Sequence, residues 1–321
     1  MLPDDDALVI CFAHVAYQLR QRFLLRRTPI ASFEARDAES LAARIGEADV
    51  LVVSGLWRNA LLARAPRLRF IQSISAGVEQ FDRAALAAHG VRLASAQGAN
   101  SHAVAEHALA LMLALARRLP EARDNQKRRY WRGMIAEPGR REAELGGTTL
   151  LIVGLGRIGG RLAQLAKALG MHVIGVRRTA AGKAESADEV HPIGALPALL
   201  PRADTVVLTC PLTPETTHLV DAAALARMKP SAFLVNCARG RVVDEAALIA
   251  ALRRGHIAAA ALDVTEEEPL AEESPLWEMP NVLITPHTAG ETGRYEENVL
   301  DLLLENLDRL WRGAALRNGM A

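Results

Sequence analysis

Side chains suited to acid–base chemistry stand directly after three short apolar runs of the sequence. Arg239 follows the first run, the consecutive glutamates Glu266, Glu267 and Glu268 follow the second, and His287 follows the third. Short apolar runs are typical of strands in a parallel sheet, and ligands gather at the carboxyl ends of such strands. The pattern therefore predicts that these groups meet at one sheet edge and form an acid–base site.

Each of these residues also has an interpretation without chemistry. Arg239 could cap a helix or pair with Asp244, the three glutamates could form a solvated loop, and His287 could be an ordinary loop histidine. Taken one at a time, these structural interpretations are favoured. The occurrence of all three kinds of side chain at strand ends favours a functional site.

A glycine-rich turn lies upstream of these residues. The apolar run 150–153 leads into it, the helical stretch 161–169 follows it, and its residues are Gly154, Leu155, Gly156, Arg157, Ile158 and Gly159. Between a strand and a helix, the pattern GxGxxG predicts a dinucleotide site, with the pyrophosphate at the helix N-terminus. The three glycines would permit the tight turn, the approach of the pyrophosphate and close helix–strand packing. The alternative is a turn that merely needs small residues.

The residues after the next apolar run indicate which dinucleotide binds. An NAD site has Asp or Glu there, whereas Arg177, Arg178 and Thr179 follow the run 172–176. Two guanidiniums and a hydroxyl suit a 2′-phosphate, so NADP(H) is the expected cofactor. The alternative is a solvated arginine pair beside a site that also accepts NAD(H).

A nicotinamide beside such a site predicts the reduction of a 2-oxoacid. His287 would give a proton to the carbonyl oxygen while a hydride reaches the carbon, and a glutamate would hold the imidazole. Arg239 would anchor the substrate carboxylate with two directed donors and polarise the carbonyl.

The elements that position these residues alternate between strands and helices, which predicts an α/β fold with a doubly wound parallel sheet. The predicted strands are 7–12, 50–53, 69–73, 150–153, 172–176, 205–209, 232–236, 258–263 and 281–285. The predicted helices are 40–45, 161–169, 245–254, 296–311 and one from Asn100 and Ser101 through Leu119, which Pro120 ends. The stretch 124–141 is predicted to be a surface crossing.

Composition excludes several classes of protein. The 321 residues hold 38 basic and 37 acidic side chains, so no large basic surface for nucleic acid is expected. Three dispersed cysteines argue against a disulfide framework. The absence of a long apolar run and the acidic N-terminus predict a cytoplasmic protein with no membrane partner. His102 and His107 invite a metal interpretation, but they point about 140° apart on a helix, so no metal site is expected.

The same segments, taken together, resemble the D-isomer-specific 2-hydroxyacid dehydrogenases. The resemblance covers nearly the whole chain and is carried by SAGVEQFD at 75–82, AVAEHALALMLALARR at 103–118, LLIVGLGRIGGRLA at 150–163, CPLTPETTHLV at 210–220, NCARGRVVDEAAL at 236–248, LDVTEEEPL at 262–270 and NVLITPHTAG at 281–290. It implies a Rossmann-type dinucleotide-binding domain at 100–291 inserted into a smaller flavodoxin-like substrate domain at 1–99 and 292–321. It also implies an active site in the cleft and a homodimer.

Carried over residue by residue, the resemblance assigns catalytic roles to Arg239, Glu268 and His287. It assigns substrate-carboxylate binding to Ala76, Gly77 and Val78 together with Arg239, and the nicotinamide carboxamide contact to Asp263. The full expected set of cofactor-binding residues is Gly154, Leu155, Gly156, Arg157, Ile158, Gly159, Arg177, Arg178, Thr179, Cys210, Pro211, Thr217, Cys237, Ala238, Asp263 and His287.

The sequence thus predicts an NAD(P)-dependent oxidoreductase that reduces a small 2-oxoacid, such as glyoxylate or hydroxypyruvate, to the D-2-hydroxyacid. One alternative is an NAD-linked D-2-hydroxyacid dehydrogenase for lactate-like or longer acids. Another is a non-catalytic protein that senses a dinucleotide. Substrate selectivity stays open, with the arginines of the first domain, Trp57 and Tyr295 as candidate residues.

Overall fold

The computed structural model describes residues 2–178 and 186–320. Its strands are Val9–Ala13 (β1), Ala31–Ala35 (β2), Val50–Val53 (β3), Phe70–Ser73 (β4), Arg92–Ala94 (β5), Thr149–Val153 (β6), His172–Arg177 (β7), Glu189–Pro192 (β8), Thr205–Leu208 (β9), Phe233–Asn236 (β10), Ala259–Leu262 (β11), Val282–Ile284 (β12) and Gly319–Met320 (β13). Its α-helices are Leu19–Leu24 (α1), Ala38–Arg44 (α2), Arg83–Ala88 (α3), Ser101–Ala116 (α4), Leu119–Lys127 (α5), Arg157–Ala168 (α6), Leu196–Leu199 (α7), Ala222–Leu225 (α8), Glu245–Arg253 (α9) and Tyr295–Trp311 (α10).

The chain divides into two compact units, Met1–Asn100 with Thr292–Ala321, and Ser101–Glu291. The first unit holds a sheet in the order β13-β5-β4-β3-β1-β2. All its pairs are parallel except β13 with β5, and the run β2-β1-β3-β4-β5 is the flavodoxin-like strand order. Helix α10 packs on one face of this sheet through Val299, Leu300 and Leu303.

The second unit is a parallel sheet in the order β12-β11-β10-β9-β6-β7-β8. Counted from β6, this is the Rossmann order 3-2-1-4-5-6 with one further strand, so the predicted doubly wound fold is confirmed. The inner strands are buried on both faces, with one core around Leu151, Val206 and Leu234 and another around Ile152, Val207 and Val235. Burial on both faces explains why these strands are apolar along their whole length.

Several short strands are not predicted from the sequence. β8 is an edge strand that contains Glu189 and His191, and β2 is an edge strand whose residues alternate in exposure. β5 has three residues and β13 has two. Edge strands and very short strands lack the continuous apolar run on which the prediction rested.

The predicted helix from Asn100 through Leu119 was wrong at its end. α4 stops at Ala116, and Arg118 has a left-handed backbone (φ 52°) at the start of α5. Pro120 therefore lies in the first turn of a new helix, where proline is tolerated, and does not end the old one. Within residues 2–178 and 186–320, no helix combines the length and the apolar character that a membrane crossing requires.

Candidate active site

The glycine-rich turn lies where the strand order of the second unit reverses, between β6 and β9. Gly154 has φ +108°, and a Cβ there would lie 2.5 Å from the backbone nitrogen of Cys210. A Cβ on Gly159 would lie 2.3 Å from the carbonyl oxygen of Gly154. These two glycines are therefore required by the packing of the turn itself.

Gly156 differs from Gly154 and Gly159 because a Cβ there would meet nothing within 4 Å. It is the N-cap residue of α6. As a glycine it gives no side-chain cap, and among the described residues the first turn of α6 holds no acid. Open space in front of uncapped backbone N–H groups is the arrangement that accepts a pyrophosphate. The turn thus fits a dinucleotide, with Leu155 packed over Gly175 and with the exposed Arg157 and the half-buried Ile158 in the first turn of α6.

The arginines expected to bind a 2′-phosphate lie at the same sheet edge. Val176 of β7 accepts hydrogen bonds from the backbone nitrogens of Gly154 and Leu155, at 2.8 and 3.1 Å. Arg177 is the next residue and ends β7, and Arg178 follows it in an exposed position. Thr179, the third residue of this prediction, lies outside the described residues.

The loop after β9 faces the glycine-rich turn. Thr209 donates from its hydroxyl to the carbonyl oxygen of Gly154 at 2.9 Å. Cys210 is buried and Pro211 is exposed, while the Thr217 hydroxyl is used within the loop, where it donates to the carbonyl oxygen of Thr213 at 2.9 Å. Burial raises the pKa of the Cys210 thiol to about 11, so this cysteine stays protonated near neutral pH.

The loop after β10 carries Arg239. The buried Asn236 holds the turn because its amide nitrogen donates to the Arg239 carbonyl oxygen at 3.1 Å and its amide oxygen accepts from Ala238 N at 3.0 Å. Cys237 and Ala238 are buried, and Arg239 is the first exposed residue. Burial raises the pKa of the Cys237 thiol to about 12. The only Arg239 side-chain hydrogen bond found within the described residues joins Nη1 to the Ala238 carbonyl oxygen, at 2.7 Å.

The loops after β11 and β12 bring Glu268 and His287 together. Glu268 Oε2 lies 2.7 Å from His287 Nδ1, and Glu268 Oε1 accepts from the backbone nitrogen of Thr265 at 3.2 Å. A carboxylate only accepts, so Nδ1 carries a proton and Nε2 is the ring nitrogen left for a ligand. Glu266 pairs with a different histidine, since its Oε1 lies 3.0 Å from His218 Nε2. The geometry therefore singles out Glu268 among the three glutamates.

Asp263 fixes the backbone around His287. Its carboxylate is 2 % exposed and accepts from the Thr285 hydroxyl at 2.6 Å and from the backbone nitrogens of Thr288 and Ala289 at 3.0 and 3.1 Å. Its carbonyl oxygen accepts from His287 N at 2.8 Å. His287 itself has φ +55°, a strained conformation for a residue with a Cβ, and these bonds hold it there.

The expected substrate loop lies in the first unit, directly after β4. Within the described residues, the backbone nitrogens of Ala76, Gly77 and Val78 donate to no protein atom, so all three are available to an anion. Ser75 is held by Ser73, whose hydroxyl donates to the Ser75 carbonyl oxygen at 3.2 Å.

The two candidate selectivity residues do not lie on a surface. Trp57 is 1 % exposed and packs against Phe81, and Tyr295 is 8 % exposed with its hydroxyl donating to the carbonyl oxygen of Ile74. Both are core residues of the first unit. Their aromatic character suggested a ligand contact, whereas packing explains it.

Sequence analysis missed three residues that shape the site. Asn236 and Thr285 are polar residues at the ends of apolar runs, and that position is the signal that could have identified them. The sequence suggests only a metal-binding role for His107, whereas its ring Nε2 lies 3.0 Å from Thr285 Oγ1. Among the described residues, no three His, Cys, Asp or Glu side chains are grouped so as to bind a metal ion.

Comparison with known proteins identifies the family of this chain. The family profile described as D-isomer specific 2-hydroxyacid dehydrogenase, NAD binding domain, matches residues 109–289. Glyoxylate/hydroxypyruvate reductase B of Citrobacter koseri is 37 % identical over 319 residues, which are 99 % of this chain and 94 % of that protein.

Two further proteins are similar to this chain. D-3-phosphoglycerate dehydrogenase of Methanocaldococcus jannaschii is 37 % identical over 282 residues, which are 87 % of this chain and 53 % of that protein, so the chain spans about half the length of this relative. A solved structure of a D-isomer specific 2-hydroxyacid dehydrogenase family protein from Aeromonas salmonicida is 32 % identical, with a TM-score of 0.86 over 98 % of this chain and 99 % of that one. The chain therefore belongs to the D-isomer specific 2-hydroxyacid dehydrogenase family.

Proposed function

We propose that the protein reduces a small 2-oxoacid of the glyoxylate or hydroxypyruvate type to the D-2-hydroxyacid, with NADPH as the preferred reductant. The observation that carries the proposal is the pair formed by Glu268 Oε2 and His287 Nδ1, 2.7 Å apart. These residues follow β11 and β12, the two strands beyond β10, which precedes Arg239. The similarity to glyoxylate/hydroxypyruvate reductase B over nearly the full length of both proteins supports the substrate class.

In this proposal His287 is the general acid and base. The Glu268 carboxylate keeps the proton on Nδ1 through the whole cycle, so the ring is oriented and only the Nε2 proton is exchanged. During reduction, Nε2–H gives its proton to the carbonyl oxygen of the substrate, and in the reverse direction Nε2 takes it back. When bound, the nicotinamide ring supplies or accepts the hydride.

Arg239 binds the substrate carboxylate and the carbonyl oxygen. Its guanidinium is exposed at the strand end and is linked to the protein through Nη1 alone among the described contacts, so the remaining donors are available for a carboxylate. We also propose that the backbone nitrogens of Ala76, Gly77 and Val78 take part in substrate binding. Residues 100–291 would then hold the cofactor, while residues 1–99 and 292–321 supply substrate contacts.

The proposed preference for NADPH rests on Arg177 and Arg178. They directly follow β7, whose Val176 accepts hydrogen bonds from the glycine-rich turn. In a dinucleotide-binding sheet, residues at this position contact the adenosine ribose. The sequence has Arg177 and Arg178 where an NAD site has Asp or Glu, and two guanidiniums favour a 2′-phosphate. The homodimer and the cytoplasmic location stay predictions.

A substrate screen with both reduced cofactors tests the proposal. Glyoxylate, hydroxypyruvate, pyruvate, a longer 2-oxoacid and 3-phosphohydroxypyruvate are each offered with NADPH and with NADH, and consumption of the reduced cofactor is followed. We expect the highest kcat/KM with a small 2-oxoacid and NADPH. His287→Ala should lose turnover by a factor of at least about 10² while binding the cofactor normally.

Three results would contradict parts of the proposal. Preference for pyruvate or a longer acid with NADH would favour the lactate-type dehydrogenase. Preference for 3-phosphohydroxypyruvate would favour the activity named for the phosphoglycerate dehydrogenase relatives. Cofactor binding without turnover of any 2-oxoacid would favour a protein that senses the dinucleotide.

A further inference from the structure

His107 has no part in the proposed chemistry. It lies within hydrogen-bond distance of Thr285, whose hydroxyl donates to Asp263 beneath the His287 loop. It lies on α4, the helix that packs on the sheet of the second unit through Val104, Ala108 and Met112. Its Nε2 lies 3.0 Å from Thr285 Oγ1 and 3.5 Å from Asp263 Oδ1. Its side chain is 23 % exposed, so the contact is partly shielded from water.

The positions of the protons follow from the donors present. The ionised carboxylate of Asp263 can only accept, and the Thr285 hydroxyl, 2.6 Å away, has a single hydrogen to give it. Once that hydrogen is used, Thr285 Oγ1 can only accept from a further partner. His107 must therefore donate from Nε2, and the three residues form a directed series from α4 to Asp263.

The series ends on the group that determines the backbone of His287. Asp263 accepts at the same time from the Thr285 hydroxyl, which precedes His287 in the chain, and from the backbone nitrogens of Thr288 and Ala289, which follow it. A left-handed residue with a Cβ persists only where its surroundings determine its conformation. Loss of the His107 donor would free the Thr285 hydroxyl to turn from Asp263, and the His287 loop would lose one of its fixed points.

We propose that His107 is a positioning residue, which donates from Nε2 to Thr285 and through Thr285 and Asp263 keeps His287 in place against Glu268. This rests on the proposed function for its effect on turnover. The hydrogen-bond direction does not depend on that function, because it concerns the protein without cofactor or substrate.

The first test measures the ring tautomer. In the full chain labelled with ¹⁵N-histidine, the His107 signals are identified as those absent from the spectrum of His107→Gln. At about pH 8.5, where an ordinary histidine is neutral, we expect the proton on Nε2 and none on Nδ1. A ring protonated on Nδ1 and bare at Nε2 would overturn the proposal, whatever reaction the protein catalyses.

The second test uses matched variants. His107→Gln keeps an amide N–H near the place of Nε2, whereas His107→Leu keeps bulk and removes the donor. Thr285→Ser keeps the hydroxyl and Thr285→Val removes it with little change of shape. We expect kcat to fall about tenfold in His107→Leu and Thr285→Val, to stay within about threefold of wild type in the two conservative variants, and the cofactor Kd to stay unchanged in all four.

The double variant His107→Leu/Thr285→Val decides whether the two residues act in series. Because His107 acts through the Thr285 hydroxyl, we expect the double variant to be no slower than Thr285→Val alone. Two results would overturn the proposal: equal kcat in His107→Leu and His107→Gln, or multiplied losses in the double variant. If the wild type reduces no 2-oxoacid, the proposed function fails and the tautomer measurement still decides the role of His107.

Discussion

Gly240 is the residue whose substitution most directly tests how the site is assembled. It follows Arg239, and the backbone of the Glu268 loop passes close over it. A Cβ built on Gly240 would lie 1.8 Å from the Thr265 carbonyl oxygen, 2.0 Å from the Thr265 carbonyl carbon and 2.5 Å from Glu266 N. The Gly240→Ala change therefore forces two backbone segments apart, since no flexible side chain can yield.

The size of the displacement follows from these distances. A carbon and a carbonyl oxygen normally approach to about 3.3 Å, so the Thr265 carbonyl must move by about 1.5 Å. Thr265 N is the donor that holds Glu268 Oε1, so the movement reaches the partner of His287. We expect a loss of about 1–3 kcal/mol in the free energy of unfolding, as in other overpacked sites, and a fall of about 10² in kcat/KM.

The assay pairs chemical denaturation with steady-state kinetics on the best 2-oxoacid. Gly194→Ala is the matched control in the same unit, because Gly194 is exposed and a Cβ there meets nothing within 4 Å. The control should stay within about 1 kcal/mol of wild type and keep full activity. If Gly240→Ala is as stable and as active as the control, the close approach of Gly240 to the Thr265 backbone is wrong. If it is destabilised but fully active, the reasoning that links this contact to Glu268 is refuted.

Two further predictions concern the cofactor and the outer sheet edge. Arg177→Asp combined with Arg178→Ala should raise the KM for NADPH by about 10-fold or more, because charge-assisted hydrogen bonds to the 2′-phosphate are lost, and should leave the KM for NADH near its original value. If the preference for NADPH over NADH is unchanged when the two cofactors compete, other residues bind the 2′-phosphate. At the edge strand β8, hydrogen bonds from Arg202, His191 and His172 lower the pKa of Glu189 from 4.5 to about 2. A lowered folded-state pKa stabilises the protein above the unfolded-state pKa, so the stability advantage over Glu189→Gln should be full above about pH 4.5 and disappear as the pH falls towards 2. Urea unfolding across this pH range measures it, with the exposed Glu272→Gln as control, and an advantage that persists at pH 2 would contradict the prediction.

The main sheet of the second unit could be predicted because its strands are buried on both faces. Each of the runs at 150–153, 205–209 and 232–236 matches a strand to within one residue at either end. The glycine-rich turn is equally readable, since packing requires Gly154 and Gly159 to lack side chains. In both cases one local pattern has a single physical cause.

Other elements depend on tertiary contacts that leave little trace in the sequence. Glu189 lies in an edge strand whose polar side chains pair with one another, so the segment has no apolar run. Pro120 was read as the end of a helix because proline has no backbone N–H, and the same property also suits it to the first turn of α5. The left-handed Arg118 that separates the two helices has no residue-type signal at all.

Within the candidate site, residue types indicated the exposed groups and not the buried ones that hold them. Arg239, Glu268 and His287 stand out because charged residues and histidine are unusual beside apolar runs. Asn236 and Thr285 do not stand out, because asparagine and threonine are common at strand ends and in turns. Their importance follows only from hydrogen bonds across the chain, such as the one from the Thr285 hydroxyl to Asp263.

In each of these loops a buried or half-buried polar residue comes first and an exposed candidate residue follows it, and this order has a physical reason. Asn236 ends β10 and Asp263 follows β11, at 1 % and 2 % exposure, where an unpaired amide or carboxylate would cost free energy. Their hydrogen bonds are therefore obligatory. Asn236 fixes the backbone at Ala238 and Arg239, and Asp263 holds Thr285 before His287 and Thr288 after it. The side chains proposed to bind an anion or exchange a proton can then stay exposed, because buried residues supply much of the hydrogen bonding that fixes the backbone of their loops. On this reasoning the candidate site is held in shape by the buried polar residues beneath it, and its exposed groups depend on those residues for their positions.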